Sequence, residues 1–400
     1  MELLNELPQG WKWVKLGDVC SFEGGSQPEK SFFKYQPLPD YIRLVQIQDF
    51  RLSHVSVYIP KKYAKRTFNE DDVMIGRYGP PVFQILRGLS GAYNVALMKA
   101  VPKNDLSKDY LFYLLQESSI QDAVIGVSQR SAGQSGVDKR FLEELPVPIA
   151  PLPEQQRLAK LLSEKLAIIE QAKQKITAQL QAAQDLTAAY LREVFESEEA
   201  KGWEWIKFEE IADFKNGINF NASQKGSGLL TIDVFNMYSN SIYIENNEEF
   251  YRISGKINEE YLLNDNDILF VRSSVKKEGV GWTTLFKTHS ENVTFCGFII
   301  RARMKIECYQ EFIVFYFRSQ LARQEIIGKA GSSTITNISQ ENLKSCLIPL
   351  PPVDKQQEIA IYLTEKFKTV EQLKATLQSQ LESINQLPAA LLKQAFSGQL

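Results

Sequence analysis

The chain has few of the residues that build metal sites and disulfide frameworks. Its 400 residues include only two histidines and four cysteines. The cysteines, Cys20, Cys296, Cys308 and Cys346, form no C-x-x-C pair and lie near no histidine at the spacing of a zinc site. We therefore expect no structural metal or disulfide, and we expect buried, reduced thiols in a reducing compartment.

The sequence also lacks an excess of charge and a long apolar run. Lys and Arg number 46 against 48 Asp and Glu, so the formal net charge is −2. Contacts with nucleic acid must then come from local basic clusters rather than from a global positive field. No apolar run approaches the roughly 18 residues that span a bilayer, and the opening residues lack the pattern of a signal peptide. We expect a cytoplasmic protein with no membrane segment.

Motifs of catalysis are missing as well. The sequence contains no phosphate-binding G-x-x-x-x-G-K-[ST], no H-E-x-x-H and no G-x-S-x-G. Two pairs of carboxylates, Asp71 with Asp72 and Asp265 with Asp267, precede strand-like runs. That position is typical of turn residues rather than of an acid/base pair. The sequence therefore offers very little that indicates catalysis.

The dominant feature that is present is an internal repeat. GWKWVKLGDVCSFEGG at 10–25 reappears as GWEWIKFEEIADFKNG at 202–217. LPVPIAPLPEQQRLAKLLSEKL at 145–166 aligns with CLIPLPPVDKQQEIAIYLTEKF at 346–367, at a constant offset of 201. The chain is thus two copies of one design.

Each copy divides again by composition. Its first part mixes short β-rich runs with loops rich in Gly, Asn, Ser and Pro, which indicates an α+β globular domain. A proline-rich turn follows, and then a long helix-like segment. We predict a first globular domain at 1–150, a first helical spacer at 151–198, a second globular domain at 199–350 and a second helical spacer at 351–400.

The helical spacers carry heptad repeats of apolar residues. The predicted seam consists of Leu162, Leu166, Ile169, Ile176, Leu180, Leu363, Phe367, Val370, Leu377, Leu381 and Ile384. Two helices with one seam each are explained if they pack together as an antiparallel coiled coil, the first carrying the chain away from domain one and the second bringing it back. At 1.5 Å per residue, the 43 residues from 154 to 196 make a rod of roughly 64 Å. Pro388 is expected to break or kink the second helix.

The junction between the copies predicts a nearly cyclic molecule. Only residues 196–201 separate the first long helix from the second GWEW motif. If the two chain ends lie side by side, they close the same junction in space. A pseudo-two-fold arrangement of the copies follows.

The arrangement of domain, PLPEQQ or PPVDKQQ turn and long helix, present twice, resembles the DNA specificity subunit of type I restriction-modification systems. The resemblance covers essentially the whole chain. It implies that each globular domain is a target recognition domain reading one half of a split site in double-stranded DNA. It also implies that the helices hold two methyltransferase subunits that methylate adenine, with restriction subunits as further partners. The resemblance further implies a protein with no chemistry of its own, which agrees with the lack of catalytic motifs. S-adenosylmethionine, ATP and Mg are then expected on the partner subunits and no cofactor on this chain.

Recognition surfaces need cations for phosphates and forked or amide side chains for base edges. The first domain offers KKYAKR, the strand exit after DVMIG and the loop SQRSAGQSG, and the second offers a strand exit after DILFV and the loop GKAGSSTITN. The candidate DNA-binding residues are Lys61, Lys62, Tyr63, Lys65, Arg66, Arg77, Tyr78, Arg130, Gln134, Arg272, Ser273, Ser274, Lys276, Lys277, Lys329, Ser332, Ser333 and Thr334. A solvated surface, or for the arginines an ion pair with a neighbouring acid, would leave the same pattern.

Two other functions fit parts of the sequence. A coiled-coil adaptor that binds proteins and no DNA would suit the near-neutral charge, although the basic loops oppose it. A self-sufficient methyltransferase would have to bind S-adenosylmethionine by itself. Salt-dependent binding to duplex DNA separates the first of these from a DNA specificity subunit.

Overall fold

The protein forms two compact units. The computed structural model describes residues 7–51, 55–79, 81–130, 136–239, 241–244, 250–288, 291–331 and 335–400. Unit 1 comprises residues 1–176 and 380–400, and unit 2 comprises residues 177–379. Each unit therefore holds one globular domain together with part of each long helix. The domain boundaries drawn from composition at 150, 198 and 350 stay predictions, because the chain positions that divide the two units fall within the long helices.

Unit 1 is an α+β domain with two small sheets. In chain order its elements are β1 (Lys12–Lys15), α1 (Leu16–Val19), β2 (Cys20–Gly24), β3 (Tyr41–Val45), β4 (Val57–Pro60), β5 (Thr67–Phe68), β6 (Val73–Gly76), β7 (Gln84–Leu86), β8 (Gly91–Tyr93), β9 (Leu97–Pro102), α2 (Lys108–Leu114), α3 (Ser118–Arg130), α4 (Lys139–Glu144), β10 (Pro146–Ile149) and α5 (Leu152–Phe195), whose last residues belong to unit 2. One sheet has the order β2-β9-β6-β7, the other has β4-β3-β8-β5, and β1 pairs with β10.

Unit 2 repeats this plan with additions. Its elements are β11 (Glu204–Lys207), α6 (Phe208–Ile211), β12 (Ala212–Asn216), β13 (Lys225–Ile232), α7 (Val234–Met237), β14 (Tyr243–Ile244), β15 (Tyr251–Ile253), β16 (Ile268–Val271), β17 (Ser273–Ser274), β18 (Thr283–Phe286), β19 (Val293–Phe295), β20 (Ile299–Met304), α8 (Gln310–Arg318), α9 (Gln320–Lys329), β21 (Thr336–Asn337), α10 (Gln340–Lys344), β22 (Leu347–Leu350) and α11 (Val353–Phe396). The sheet β12-β20-β16-β18-β14 corresponds to the first sheet of unit 1, and β11 pairs with β22 as β1 does with β10.

The core of each globular domain lies between its first sheet and its helices. In unit 1, Ile75 of β6 and Leu111 of α2 belong to one buried apolar cluster. In unit 2, Phe270 of β16 and Phe317 of α8 belong to another, with ring centroids 4.9 Å apart in an edge-to-face arrangement. The four-residue strands β6 and β16 are buried at every position, because helices cover one face and strands of the domain's other sheet cover the opposite face. Those strands are β3, β5 and β8 in unit 1 and β13 and β19 in unit 2.

The two long helices run antiparallel. In unit 1, Nη2 of Arg157 near the start of α5 donates to the carbonyl oxygen of Leu400 beyond the end of α11 (2.7 Å). In unit 2, the hydroxyl of Tyr362 near the start of α11 donates to the carboxylate of Glu193 near the end of α5 (3.2 Å). Two α+β domains with an antiparallel helical pair are the fold class that the sequence predicts, and the prediction is confirmed.

The apolar heptads face inward along both helices. All eleven predicted seam residues are buried or half-buried, and Leu162 and Leu363 are completely buried. The individual pairings across the seam stay a prediction. Lys173 and Lys374 occupy heptad positions four residues after Ile169 and Val370. They form ion pairs one turn back along their own helices, with Glu170 (3.9 Å) and Glu371 (2.8 Å).

Pro388 does not break the second long helix, because α11 continues through this residue to Phe396, while the alternative of a kink there stays a prediction. A proline inside a helix costs roughly 3 kcal/mol relative to alanine. The next turns of the helix offset that cost, since Leu392 and Phe396 are buried in the core of unit 1. Beyond the helix, Gly398 lies against Pro8, so the described parts of the two chain ends are neighbours.

A buried glutamine joins each long helix to its globular domain. The side-chain amide of Gln155 donates to the carbonyl oxygen of Ala150 (2.8 Å), and its oxygen accepts from the backbone N–H of Ser107 (2.9 Å). Gln356 makes the same two bonds, to Pro351 (2.8 Å) and from Tyr309 (3.0 Å). These are the first glutamines of the PLPEQQ and PPVDKQQ motifs. The motif therefore fixes where the helix leaves the domain.

Candidate nucleic-acid interface

Arg77 and Arg272 occupy the same place in the two units, directly after β6 and β16. The backbone N–H of Arg77 donates to the carbonyl oxygen of Ala96 (2.9 Å), and its carbonyl oxygen accepts from Val137 (3.0 Å). Arg272 makes the matching bonds with Phe298 (2.8 Å) and Ile338 (2.9 Å). These bonds tie three chain segments together at the end of the central strand.

The two guanidinium groups also bind alike. Nη1 of Arg77 donates to the carbonyl oxygen of Val95 (3.4 Å), and Nη1 of Arg272 donates to that of Gly297 (3.1 Å). Within the described residues neither guanidinium forms an ion pair with a carboxylate, so the charge of each is available to a ligand. The guanidinium of Arg77 also lies 5.1 Å from the ring of the exposed Tyr78.

The basic run of unit 1 forms a turn at the edge of the second sheet. Residues 61–63 make one 3₁₀ turn directly after β4. The ring of Tyr63 stacks on Phe32 with centroids 4.1 Å apart, and the ammonium of Lys62 lies 5.0 Å from the Tyr63 ring. Arg66 points elsewhere, to an ion pair with Glu23 (3.2 Å).

The stacked rings bring a second basic segment to the same edge, which sequence reasoning missed. The backbone of Lys34 exchanges hydrogen bonds with Tyr58 of β4 (2.9 and 2.7 Å). We call the exposed lysines of this edge the lysine patch; they are Lys30, Lys34, Lys61, Lys62 and Lys65. Among the described residues none of the five contacts a carboxylate. The signal in the sequence was KSFFK, which places two cations around two aromatic rings as KKYAKR does around one.

Unit 2 presents a different surface beside its arginine. Ser273 and Ser274 form β17, which pairs with β21 and so holds the strand exit beside the segment that follows α9. Lys276 and Lys277 are exposed. Next to them is a pocket of about 820 Å³ whose walls are mostly apolar, with Tyr238 and Trp282 among the lining residues.

One predicted DNA-binding lysine is held by neighbouring side chains, and several other predicted residues lie partly or wholly outside the described part of the chain. The ammonium of Lys329 is held by Glu325 (2.6 Å) and by the hydroxyl of Ser345 (3.0 Å). Burial acts to lower the pKa of Lys329, but the hydrogen bond and charge of Glu325 raise it overall. Arg130 is the last residue of α3, and its side chain is not among those that the structure describes. Gln134, Ser332, Ser333 and Thr334 lie outside the described residues altogether.

The paired carboxylates are turn residues, as predicted. Asp72 accepts from the backbone N–H of Asn69 (2.9 Å) and forms an ion pair with Lys108 (2.6 Å). Although desolvation acts to raise the pKa of Asp72, these interactions with the carboxylate lower it overall. Asp267 accepts from Asn264 (2.7 Å) and binds Arg303 through both carboxylate oxygens.

Two other kinds of feature, a metal-binding cluster and a membrane-spanning helix, are absent from the part of the chain that the structure describes. There, no three His, Cys, Asp or Glu side chains are grouped so that they could hold a metal ion. Over the same residues, no helix combines the length and the apolar character needed to cross a membrane.

Comparison with known proteins identifies the family. The family model described as the type I restriction modification DNA specificity domain matches residues 8–182 and again 200–383. The EcoKI specificity subunit, a type I restriction enzyme subunit from Escherichia coli K12, is 23% identical over 99% of this chain and 90% of its own length. The MjaVIII specificity subunit of Methanocaldococcus jannaschii is 22% identical over 98% of this chain and 94% of its own length.

Solved structures show the same fold. A chain from a structure that describes complex assembly and conformational transition of a type I R-M system has a TM-score of 0.79 at 20% identity, over 99% of this chain and 100% of the other. The HsdS subunit of Thermoanaerobacter tengcongensis has a TM-score of 0.62 at 20% identity, over 99% of both chains. The resemblance stated from the sequence is confirmed, and the chain belongs to the family of type I restriction-modification DNA specificity subunits, with two copies of the specificity domain.

Proposed function

We propose that the globular domains of units 1 and 2 read the two different halves of one bipartite, asymmetric site in double-stranded DNA. The observation that carries the proposal is the pair Arg77 and Arg272. Their hydrogen bonds are the same in both units, but the side chains around them differ. A shared frame explains why both domains engage the same kind of ligand, and unlike surroundings explain unlike base sequences.

In unit 1 basic side chains lie at the edge of the second sheet. There the lysine patch supplies five cations for phosphate contacts, which fix the position of a protein on the duplex. In unit 2 the surface beside Ser273 and Ser274, which follow Arg272, is largely apolar, with Lys276 and Lys277 as its cations. The local clusters overcome a net charge of −2 because phosphate contacts depend on charges within a Debye length, about 8 Å in physiological salt.

The chain itself supplies recognition and assembly rather than catalysis. Family membership supports two methyltransferase subunits as partners, with restriction subunits joining them. S-adenosylmethionine, ATP and Mg would be bound by those subunits, and this chain would carry no cofactor. The protein would act in the cytoplasm, where the DNA is.

The test is to map methylated adenines in the DNA of cells that express this chain with its methyltransferase partner. We expect one split site whose two halves differ in sequence. Methylation at perfect palindromes would contradict the proposal, because two domains with unlike surfaces do not read like sequences.

Duplex binding tests the alternative of an adaptor that binds no DNA. We expect the complex with methyltransferase subunits to bind its site and to lose affinity as salt rises, because phosphate contacts release counterions. The isolated chain should bind weakly, since its net charge supplies little of this affinity. Specific assembly with partners but no duplex binding at any salt concentration would favour the adaptor.

A further inference from the structure

The pocket of unit 2 is bordered by apolar side chains that the solvent reaches. Val275 is 82% exposed, Phe298 is 57% exposed and Ile335 is 48% exposed, and all three line it. Single exposed apolar residues are ordinary, but a contiguous group around a concave surface marks a binding site. We call these three residues the apolar rim.

The apolar rim is continuous with the strand exit at Arg272. Phe298 accepts the backbone hydrogen bond of Arg272, and the Arg272 guanidinium donates to the carbonyl oxygen of the preceding Gly297 (3.1 Å). Val275 follows β17, and Ile335 directly precedes β21, which pairs with β17. The apolar rim therefore lies on backbone segments that neighbour Arg272.

Charges around the pocket favour a polyanion. Lys276 lines the pocket and Lys277 is next to it, both exposed, whereas Glu278 is the exposed carboxylate of the lining. The other acidic residue of the lining, Asp233, is directed inward, where it accepts from the hydroxyl of Tyr251 (3.0 Å) and from the thiol of Cys296 (3.2 Å). The ligand should thus present negative charges at its border and an apolar group at its centre.

Double-stranded DNA has one such group in its major groove. The C5-methyl of thymine is the apolar feature among the hydrogen-bonding groups of the base edges, and apolar side chains read it by contact. Phosphates flank it on both strands. The pocket surface is complementary to this arrangement, because its lysines lie beside the apolar rim as the phosphates lie beside the thymine methyl group.

We propose that the apolar rim reads thymine methyl groups in the half-site of unit 2, with Phe298 as a specificity-determining residue. The inference rests on the proposed function. Unit 1 has no counterpart of this contact at the matched position, because Ala96 accepts the backbone hydrogen bond of Arg77 where Phe298 accepts that of Arg272. The two domains thus share this backbone hydrogen bond but differ in the residue that accepts it, alanine in unit 1 and phenylalanine in unit 2.

The test replaces each thymine of the mapped site by uracil, which removes the methyl group and leaves every hydrogen-bonding group in place. Duplexes with one such change are titrated with the complex of this chain and its methyltransferase subunits. We expect the complex to bind at least one of these duplexes about fourfold more weakly than the unmodified duplex, with the substituted thymine in one half-site. Fourfold in affinity corresponds to the burial of one methyl group. Phe298→Ala should reduce that ratio to about one, whereas Phe298→Leu, which stays apolar, should keep it.

The possible results distinguish a failure of this inference from a failure of the proposed function. No uracil effect, or an effect that Phe298→Ala leaves unchanged, overturns the inference while specific binding itself upholds the proposed function. No sequence-specific binding to any duplex overturns the proposed function. If Phe298→Ala weakens assembly with the methyltransferase subunits and not the preference for thymine, the rim binds protein and the inference is wrong. Ala96→Ser is the matched control and should leave the ratio of thymine to uracil affinity unchanged for every duplex.

Discussion

At the scale of residues, Arg77 and Arg272 show how a side chain that is hydrogen-bonded to the backbone of its own domain can also contact a ligand. Each guanidinium uses one nitrogen for a backbone carbonyl of its own domain, at 3.4 Å and 3.1 Å. The Nε of Arg77 is buried and has no partner among the described residues. A half-buried guanidinium held on one side presents its remaining donors in a fixed direction, which suits a guanine edge or a phosphate.

Arg77→Ala should relax or abolish recognition of one half-site and leave assembly with the methyltransferase subunits intact. The expected loss is about 1–3 kcal/mol of binding free energy, the range of a good base contact. Arg272→Ala is the matched variant and should affect the other half-site alone. Binding to duplexes with single base changes in either half measures both effects. A variant that fails to fold, seen by thermal denaturation, would assign Arg77 to structure instead.

Gln155→Leu should destabilise unit 1 without touching the DNA surface. The change leaves the N–H of Ser107 and the carbonyl of Ala150 without their partner, and each unsatisfied buried group costs roughly 1–3 kcal/mol. Denaturant titration of the full chain measures the loss. Gln156→Leu is the control, because Gln156 is the next residue of the helix and is exposed. We expect this variant to unfold at the same denaturant midpoint as the unsubstituted chain. Equal stability of the two variants would contradict the role given to the motif.

At the scale of elements, each long helix contributes to the core of a globular domain in one part of its length and pairs with the other helix in another part. Leu162 is completely buried within the core of unit 1, together with residues of the globular domain. Ile176 is 8% exposed and belongs to none of the core clusters of the described chain. The middle of α5 is therefore the place where helix pairing can be tested apart from domain folding.

Ile176→Asp should weaken the helix pair by several kcal/mol, because an unpaired carboxylate in the seam must be desolvated or protonated. Ile168→Asp is the control, since Ile168 lies on the same helix and is 64% exposed. Denaturant titration gives the stability, and co-purification with the methyltransferase subunits gives the assembly. Unchanged stability and assembly of the Ile176 variant would remove the coiled-coil interpretation of this segment.

At the scale of the whole molecule, the repeat makes each long helix a member of two domains. Phe195 at the end of α5 packs in unit 2 against Phe312, with ring centroids 5.4 Å apart. Phe396 at the end of α11 packs in unit 1 against Tyr110 at 5.2 Å. The two phenylalanines are 201 residues apart, the offset of the repeat. Gly398 also lies against Pro8 within unit 1, so the last residues of the chain pack beside the described start of the first globular domain.

Helix length should set the spacing of the two half-sites. One heptad inserted after Ile176 and one after Leu377 keep both seams in register and lengthen the rod by roughly 10 Å. That is about three base pairs, which also rotate the groove by about 100°, whereas a heptad turns a straight helix by only some 20°. The mutant should methylate a longer-spaced site poorly or not at all. Methylation at the original spacing and rate, read by sequencing, would show that the helices do not set the distance.

The sequence by itself determined the repeat, the α+β class of the domains, the long helices and the family, because these depend on local periodicity and on motifs that recur at a fixed offset. The heptads showed that one face of each helix is buried, but not that Phe195 and Phe396 complete the cores of units 2 and 1. Only the tertiary structure joined Lys30 and Lys34 to KKYAKR, through the stacking of Phe32 on Tyr63, and gathered Val275, Phe298 and Ile335 around one pocket. Contacts between residues far apart in the chain leave no local pattern, so folding alone decides them.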